Sequence, residues 1–331
     1  MQNTLRRCAA LLLSLALLLS ATTGFAGTTL GDGLNAAVAA VADAVAEARE
    51  QAGTEEPSAT EEASASGETD DGWWNVLLLG CDSYTMNSYQ RTDSMIIVSI
   101  NAIENKVKLT SLMRDTWVPM PGSKSTHHKL TELCVYGGPE LTIRAINECF
   151  GMNISDYALI SMKGIAEIID LVGGVELDVT EAERKALNAG LFNLSSLSGM
   201  EKLEQSGEGV HLNGNQATAY ARIRKIDSDY VRTERQRTVL IAIAEKIKNG
   251  ASASTLLTVA TTLLNYVDTN LSLSEIMAIA SAGLQLDMDS VEQFRVPADG
   301  TFESGMYGSV WCIKPNFEKN AKLLHSFIYE D

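Results

Sequence analysis

Positive charge is scarce in this sequence. Its 331 residues include 26 lysines and arginines against 42 aspartates and glutamates, which gives a net charge of −16 at pH 7. A field of this sign repels the phosphate backbone of DNA and RNA. The sequence therefore predicts no nucleic acid partner, and any anion that the chain binds has to be held by a local basic cluster.

The sequence also lacks the spacings that hold zinc or build a repeat protein. Its five cysteines form no CxxC pair, the four histidines are not at zinc-ligand spacing from them, and no internal repeat is present. Four cysteines follow the first apolar segment, and they are compatible either with disulfides, in any of three pairings, or with buried free thiols. These cysteines are Cys81, Cys134, Cys149 and Cys312.

The N-terminal segment, residues 1–31, predicts export. Arg6 and Arg7 precede an uncharged stretch at residues 8–31, and an acidic region follows it. This order predicts that the N-terminus stays inside and the rest of the chain lies outside the membrane. Small residues around Ala26 suit cleavage as a signal peptide, whereas the uncharged length suffices for a membrane anchor. We expect an extracytoplasmic protein, anchored if the segment is retained and secreted if it is cleaved.

Residues 32–72 predict a stalk and a linker. Residues 34–50 are alanine-rich with valines at helical spacing, and residues 51–72 are acidic, small and polar with no basic residue. Such a linker cannot bury enough apolar area to fold. Residues 1–72 carry a net charge of −8, half of the total, so the domain predicted at residues 73–331 is only mildly acidic.

From residue 73 onward, strand and helix patterns alternate. This alternation predicts a single α/β domain with a mixed central sheet and helices on both faces. The strands at residues 94–100 and 106–112 are expected to form a hairpin. The other predicted strands are at residues 75–79, 156–161, 175–179, 291–296 and 309–313, and the helices are at 139–151, 163–172, 229–250, 254–265, 272–284 and from Pro315.

Charged residues cluster where the first three predicted strands begin or end. Asp82 follows the first strand, Arg91 and Asp93 enter the second, and Arg114 and Asp115 leave the third. Neighbouring carboxylates repel unless a cation lies between them, and a few oxygen ligands with room for phosphate suit Mg²⁺. Arginines hold phosphate oxygens through paired hydrogen bonds. The alternative is a set of surface ion pairs, each worth about 0–1 kcal/mol.

A fourth cluster favours the functional interpretation. Six lysines and arginines fall within residues 222–237 of this acidic chain. Arg222 and Arg224 are two residues apart, so an extended segment would point both side chains the same way. Three more polar residues share one face of the helix predicted from Asp229, in line with its apolar stripe. They are Arg232, Arg235 and Gln236.

Together, these motifs resemble the LytR-CpsA-Psr family over about residues 73–250. Each motif is weak alone, but their order along the chain is specific. Members of this family are membrane-anchored enzymes of Gram-positive cell walls that move glycopolymers, such as teichoic acid or capsule, from polyprenyl pyrophosphate carriers to peptidoglycan. The motifs are GCDS at residues 80–83, RTDSM at 91–95, RDT at 114–116, YGGPEL at 136–141, LVGGVELDV at 171–179, YARIRK at 220–225 and RTERQ at 232–236.

The resemblance implies a transferase with a polyprenyl-pyrophosphate-linked glycan as donor, peptidoglycan as acceptor and Mg²⁺ as cofactor, bound by Asp82 and Asp93. We then expect phosphoryl transfer to a sugar hydroxyl, with Arg114 at the reacting phosphate and Asp115 or Asp229 orienting the hydroxyl or accepting its proton. The residues expected around the pyrophosphate are Arg91, Arg114, Lys129, Arg222, Arg224, Arg232, Arg235 and Gln236.

Three residues at two places depart from the family pattern, and two other functions stay open. Tyr84 stands where the family often has arginine, and Leu130 and Thr131 stand where it often has isoleucine and asparagine. The missing arginine bears on head-group or acceptor preference. A polyprenyl-pyrophosphate hydrolase would use the same charged groups, whereas a non-catalytic protein that binds wall glycans would not need a matched set of acids and arginines.

Overall fold

The computed structural model describes most of the chain after residue 71. The N-terminal segment, the stalk and the linker lie outside the described residues, as do most residues of the helices predicted at 254–265 and 272–284. In the part that is described, no helix is both long and apolar enough to cross a bilayer. The described residues are 72–81, 83, 88–101, 103–123, 125–193, 201–250, 259, 266–272, 275, 276, 279 and 290–330.

The strands in these ranges include every one that the sequence predicts, with ends shifted by up to two residues. Several shorter strands had no sequence signal, because three-residue strands show little alternation. The strands are β1 (Trp73–Cys81), β2 (Thr92–Asn101), β3 (Lys106–Leu112), β4 (Trp117–Pro119), β5 (His127–Lys129), β6 (Asp156–Ile160), β7 (Val175–Val179), β8 (Gly207–Leu212), β9 (Val267–Thr269), β10 (Glu292–Val296), β11 (Phe302–Tyr307) and β12 (Val310–Pro315).

The first helix begins earlier than the sequence predicts. It starts at Leu130 rather than Pro139, with a kink at Gly137 and Gly138, and it ends at Gly151, which adopts a left-handed φ of 65°. Glycine tolerates this conformation, which is common at helix C-termini. The helices are α1 (Leu130–Phe150), α2 (Met162–Leu171), α3 (Glu181–Asn193), α4 (Gly214–Ala221), α5 (Asp229–Gly250) and α6 (Phe317–Tyr329).

A six-stranded mixed sheet forms the centre of the domain. Its strand order is β10-β3-β2-β1-β6-β9. The pairs β1–β2, β2–β3 and β6–β9 are antiparallel, whereas β1–β6 and β10–β3 are parallel. The predicted hairpin of the second and third strands is therefore confirmed. Two-stranded ribbons are formed by β4–β5, β7–β8 and β11–β12.

Helices cover both faces of this sheet, as the alternation of side chains along β3 shows. Lys108 Nζ donates to the backbone oxygen of Phe327 in α6 at 2.8 Å. Ser111 Oγ accepts from Arg237 Nη1 of α5 at 2.6 Å. Residues three apart in a strand point to opposite faces, so α5 and α6 lie on opposite sides. The predicted mixed sheet with helices on both faces is confirmed.

Two hydrophobic clusters stabilise the domain. The first packs α1 and α6 against the sheet, with Leu77, Ile97 and Ile146 fully buried. The second joins α2, α3, α4 and α5 to the β7–β8 ribbon, around Leu177 and Ala217. The four cysteines expected outside the membrane are free thiols in this structure, and they are Cys81, Cys134, Cys149 and Cys312.

Candidate active site

Charged residues from β2, β3, β5 and α5 meet at one edge of the central sheet. The register between β2 and β3 places Ile96 opposite Ser111. Continuing this antiparallel register by three residues puts Asp93 opposite Arg114. The first turn of α5 reaches the same place from the face of the sheet that it covers. The sheet register thus explains why residues 21 positions apart form an ion pair.

Asp93 lies between two arginines. Arg114 Nη1 donates to its Oδ1 at 2.7 Å. Arg232 Nη2 donates to its backbone oxygen at 3.2 Å, and Arg232 Nη1 lies 3.8 Å from Oδ2. The two arginines also share a second carboxylate, because Asp229 Oδ2 is 3.0 Å from Arg232 Nη2 and 3.7 Å from Arg114 Nε. Acids and arginines therefore alternate, which offsets repulsion between like charges.

Lys129 joins this arrangement through Asp115. Lys129 Nζ donates to Asp115 Oδ1 at 2.7 Å, and Arg114 Nε lies 3.5 Å from Asp115 Oδ2. The start of α1 is fixed beside them, because the backbone nitrogen of Thr131 donates to the backbone oxygen of Arg114 at 3.0 Å. The lysine is thus held by its own side chain and by the backbone hydrogen bond of Thr131, two residues later.

Two buried arginine nitrogens of the site have no hydrogen-bond acceptor. They are Nε of Arg114 and Nε of Arg232, and this holds for the residues that the structure describes. Arg232 is only 2% exposed. A buried donor without an acceptor costs about 1–3 kcal/mol. The arrangement is therefore short of acceptors, which a bound anion such as phosphate would supply.

The site also has an excess of positive charge. Burial lowers the pKa of Arg232, and the neighbouring Asp229 offsets this only in part. Burial opposes the charge on Arg114 too, but Asp93 outweighs it and the pKa is raised. Both arginines remain protonated at neutral pH. We call the following residues the charge cluster: Arg114, Lys129, Arg224 and Arg232 as cations, and Asp93, Asp115 and Asp229 as carboxylates.

Arg224 of the charge cluster and two further predicted residues, Arg222 and Arg91, are exposed at its rim. Arg222 and Arg224 are exposed in the α4–α5 loop, residues 222–228. Arg224 Nε lies 3.8 Å from Asp229 Oδ1, which ties this loop to the charge cluster. Arg91 is exposed and pairs with Glu132 of α1 at 3.1 Å. These exposed side chains can contact an anion that arrives from solvent, whereas Arg232 is buried.

Arg235 and Gln236 have different surroundings from Arg232. Arg235 is buried, and it contacts Glu183 of α3 and Asp227 of the α4–α5 loop rather than the aspartates of the charge cluster. Gln236 is half-buried, one turn after Arg232 on α5. Helical spacing placed all three on one face, but a long arginine side chain can turn to partners on either side.

Comparison with known proteins identifies the family. The LytR_cpsA_psr family profile matches residues 36–323. The chain belongs to the LytR-CpsA-Psr family. It is 30% identical over 270 residues to regulatory protein MsrR of Staphylococcus aureus (strain COL), covering 79% of this chain and 76% of that protein. The predicted resemblance is therefore confirmed.

Another relative is named as a transferase. The polyisoprenyl-teichoic acid–peptidoglycan teichoic acid transferase TagU of Bacillus mycoides (strain KBAB4) is 30% identical over 231 residues, 68% of this chain and 69% of that one. The solved structure of TagT bound to LI-WTA aligns with a TM-score of 0.62 at 25% identity, covering 79% of this chain and 92% of that chain.

Of the two predicted Mg²⁺ ligands, only Asp93 lies among the described residues of this LytR-CpsA-Psr chain. No three histidine, cysteine or acidic side chains among the described residues are placed to hold a metal. Mg²⁺ commonly uses one or two carboxylates and takes its other ligands from phosphate and water. Asp93 Oδ2 lies 3.8 Å from Arg232 Nη1, too far for a hydrogen bond. Asp82 lies outside the described residues, but it follows Cys81, which pairs with Thr92.

Sequence reasoning missed three acids that contact the predicted basic residues. Glu132 binds Arg91 from 41 positions away, and Glu183 binds Arg235 Nε at 2.8 Å from 52 positions away. Such separations leave no local spacing to detect. Asp227 lies inside the basic segment, so its place among the arginines was the one available signal.

Proposed function

We propose that this chain is a phosphotransferase that moves a glycopolymer from a polyprenyl-pyrophosphate carrier to peptidoglycan. The observation that carries the proposal is the pair Arg114 and Arg232, whose buried Nε atoms have no hydrogen-bond acceptor within the described structure. A pyrophosphate supplies several anionic oxygens at once. The printed name of the TagU relative states this type of transfer for that protein.

The reaction is a displacement at phosphorus. An acceptor sugar hydroxyl attacks the phosphorus that carries the glycan, the bond from that phosphorus to the bridging oxygen breaks, and polyprenyl phosphate leaves with the electron pair. Negative charge grows on the leaving phosphate in such a transfer. Arg114, Arg232 and Lys129 are already oriented by aspartates, so they stabilise this charge with little reorganisation.

The acceptor hydroxyl loses one proton during the reaction, and two carboxylates lie near enough to take it. Asp115 is held by Lys129 and Arg114, whereas Asp229 is within 3.8 Å of three arginines. Both therefore remain candidates for orienting the hydroxyl or accepting its proton.

Mg²⁺ is the proposed cofactor, with Asp93 and Asp82 as its protein ligands. When bound there, the ion would neutralise charge on the pyrophosphate oxygens. The proposal is supported by the family match and by Asp93, which lies in the charge cluster with its Oδ2 3.8 Å from Arg232 Nη1.

The place of action proposed is the outer face of the cell membrane. Support comes from Arg6, Arg7 and the uncharged stretch at residues 8–31. Both the lipid carrier and a dense array of sugar hydroxyls are available at that location. Holding donor and acceptor together makes the attack effectively unimolecular, which favours a sugar over water as nucleophile. Hydrolysis of the same carrier is the nearest alternative, since it would use the same arginines.

The decisive experiment supplies a lipid-pyrophosphate-linked sugar with and without uncrosslinked peptidoglycan and follows the sugar by mass. We expect a phosphodiester-linked adduct on the acceptor, slow release of sugar when the acceptor is absent, and loss of adduct in excess EDTA that Mg²⁺ restores. Equal release in both reactions with no adduct would show a hydrolase. Full activity in EDTA would remove Mg²⁺ from the proposal but leave the transfer reaction.

A further inference from the structure

Arg235 holds the α4–α5 loop by a set of contacts that the transfer reaction itself does not explain. Its Nη1 and Nη2 both donate to the carboxylate of Asp227, with Nη1 at 3.2 Å from Oδ1. Nη1 also lies 3.4 Å from the backbone oxygen of Ile223. Ile223 and Asp227 stand on either side of residues 224–226. One arginine thus fixes both ends of the short segment that begins with Arg224.

The same side chain fastens this loop to the rest of the domain. Arg235 Nε donates to Glu183 Oε1 at 2.8 Å, and the guanidinium carbon lies 5.8 Å from the ring of Tyr220 in α4. Glu183 is in turn fixed at the start of α3, because the backbone nitrogen of Thr180 donates to its Oε2 at 2.9 Å. Arg235 is only 4% exposed. Its charge is therefore compensated by two acids inside the domain.

We infer that Arg235 is a positioning residue that acts on the donor through Arg222 and Arg224, with Asp227 and Glu183 as its anchors. The inference rests on the proposed function, because it assigns how two rim arginines of that site are kept in place. The guanidinium nitrogens of Arg235 already donate to protein carboxylates, Nε to Glu183 and both Nη atoms to Asp227. Arg222 and Arg224 stand on the exposed loop that it holds.

We call the contacts of Arg235 with Asp227, Ile223 and Glu183 the clamp. The loop needs such a clamp for a physical reason. Residues 222–228 have no helix or strand hydrogen bonds along most of their length, and Arg222 and Arg224 are exposed. An unrestrained loop would spread these two charges over many positions, and each transfer would then lose the entropy of ordering them. A planar, bidentate arginine–carboxylate contact sets both distance and orientation. A misplacement of about 1 Å can cost on the order of 10²-fold in rate.

The test uses Asp227→Asn and Arg235→Lys, each made in the wild-type chain and in an Arg222→Ala/Arg224→Ala background. Transfer is measured as kcat and KM for the lipid-pyrophosphate-linked sugar, together with the melting temperature. We expect each variant to lower kcat/KM by about 10–10²-fold in the wild-type chain. In the background without the rim arginines, the same changes should cost less than about threefold, since the groups that they position are gone.

The matched control is Glu181→Gln. Glu181 accepts two hydrogen bonds from Arg184, at 2.7 and 2.9 Å, so this change removes a bidentate arginine–carboxylate contact from α3 without touching the α4–α5 loop. We expect its kcat/KM to stay within about twofold of wild type, as for surface ion pairs. A tenfold or greater loss in this control would assign the effect to general loosening of α3 and overturn the inference.

Two further results would overturn it. Wild-type kcat/KM in Asp227→Asn would show that the clamp does not matter for the loop, and this milder variant decides the case if Arg235→Lys does not fold. Losses that multiply fully in the background without Arg222 and Arg224 would mean that Arg235 acts on the donor by itself. If the wild-type chain releases sugar to water without an adduct, the transfer proposal fails. The same variants can then be compared by their kcat/KM for hydrolysis, which still tests whether Arg235 positions the loop.

Discussion

Arg224 and Arg232 come from the same basic segment of the sequence, but the structure gives them different surroundings. The Arg224 side chain is 51% exposed and its ion pair with Asp229 is 3.8 Å long, whereas Arg232 is 2% exposed between two aspartates. An exposed ion pair contributes little to folding. Removing one member of a buried pair leaves a charge without compensation. Substitution of Arg224 is therefore expected to lower activity with little effect on the free energy of unfolding, whereas substitution of Arg232 is expected to lower both.

Substituting Arg224 with alanine should reduce kcat about 10²–10³-fold, by analogy with the loss of one oriented donor at a developing charge. The free energy of unfolding should change by less than about 1 kcal/mol. Kinetic assays of transfer and chemical denaturation measure the two effects. Arg144→Ala is the matched control, since the Arg144 side chain is 57% exposed and lies 3.6 Å from Glu148 on α1. A large loss of stability in Arg224→Ala with normal activity would make this residue structural.

Glu183 gives the clamp a defined dependence on pH. Burial raises its pKa, but hydrogen bonds from Thr180 and Arg235 outweigh that and leave the pKa below its usual value. A carboxylate of this kind adds stability above its unfolded pKa of about 4.3, and that stability is lost as pH falls through the lower folded pKa. Glu183→Gln should therefore lower the melting temperature at pH 7 and have a smaller effect near pH 3. An equal difference at both pH values would exclude a charged role for Glu183.

At the scale of elements, α5 connects three parts of the domain. Its first turn carries Asp229 and Arg232 into the charge cluster, and Arg235 holds the α4–α5 loop. Farther along, Arg237 donates to Gln293 of β10 at 2.7 Å and to Ser111 of β3 at 2.6 Å. The helix is thus anchored to the sheet one turn beyond the site, which limits how far its charged first turn can move.

The α4–α5 loop also depends on how closely α2 and α4 approach each other. The backbone nitrogen of Gly214, the first residue of α4, donates to Asp170 Oδ1 of α2 at 2.7 Å. A Cβ at Gly214 would lie 2.0 Å from the backbone oxygen of Ala166. Such an overlap cannot be relieved by a side-chain rotation. Only glycine allows this helix contact, and it sets the position from which the loop departs.

Gly214→Ala should therefore destabilise the domain by about 3 kcal/mol, at the upper end of overpacking effects. Thermal and chemical unfolding check this value. Gly305→Ala is the control, because a Cβ there would meet nothing within 4 Å among the described residues. The control should stay within about 0.5 kcal/mol of wild type. Equal stability of the two variants would show that α2 and α4 separate easily.

At the scale of the whole molecule, half of the negative charge lies in the part of the sequence that precedes the domain. Residues 1–72 carry a net charge of −8, as much as the remaining 259 residues. The site nevertheless holds four cations against three carboxylates within the described residues. Anion binding here depends on short-range contacts, because opposing charges more than about 8–10 Å away are screened at physiological salt.

The predicted topology of the chain has a direct test in cells. Protease added to intact cells should cut within residues 51–72 and release a soluble domain that begins near Trp73, since that acidic, polar stretch is the predicted linker. Mass spectrometry of the released fragment identifies the cut. A domain that stays protected until the cells are lysed would show that the orientation predicted from Arg6 and Arg7 is wrong.

The sequence alone determined the family, the fold class and most elements of the sheet. Short apolar runs such as residues 76–79 identify a strand because burial on both faces demands them. The charged motifs indicated candidate site residues, because an acidic chain that gathers six basic residues within 222–237 has the local positive charge that an anion needs. Short strands such as β4 and β9 were missed, because three residues are too few to show an alternating pattern.

Only the tertiary structure decided which of these residues work together. The register of β2 against β3 brings Asp93 to Arg114, and the packing of α5 on the sheet adds Arg232. Spacing placed Arg235 on the same helical face as Arg232, but its partners Glu183 and Asp227 turn it toward the α4–α5 loop. A sequence fixes which side a residue faces, whereas the direction of a long charged side chain depends on the acids that the fold brings near it.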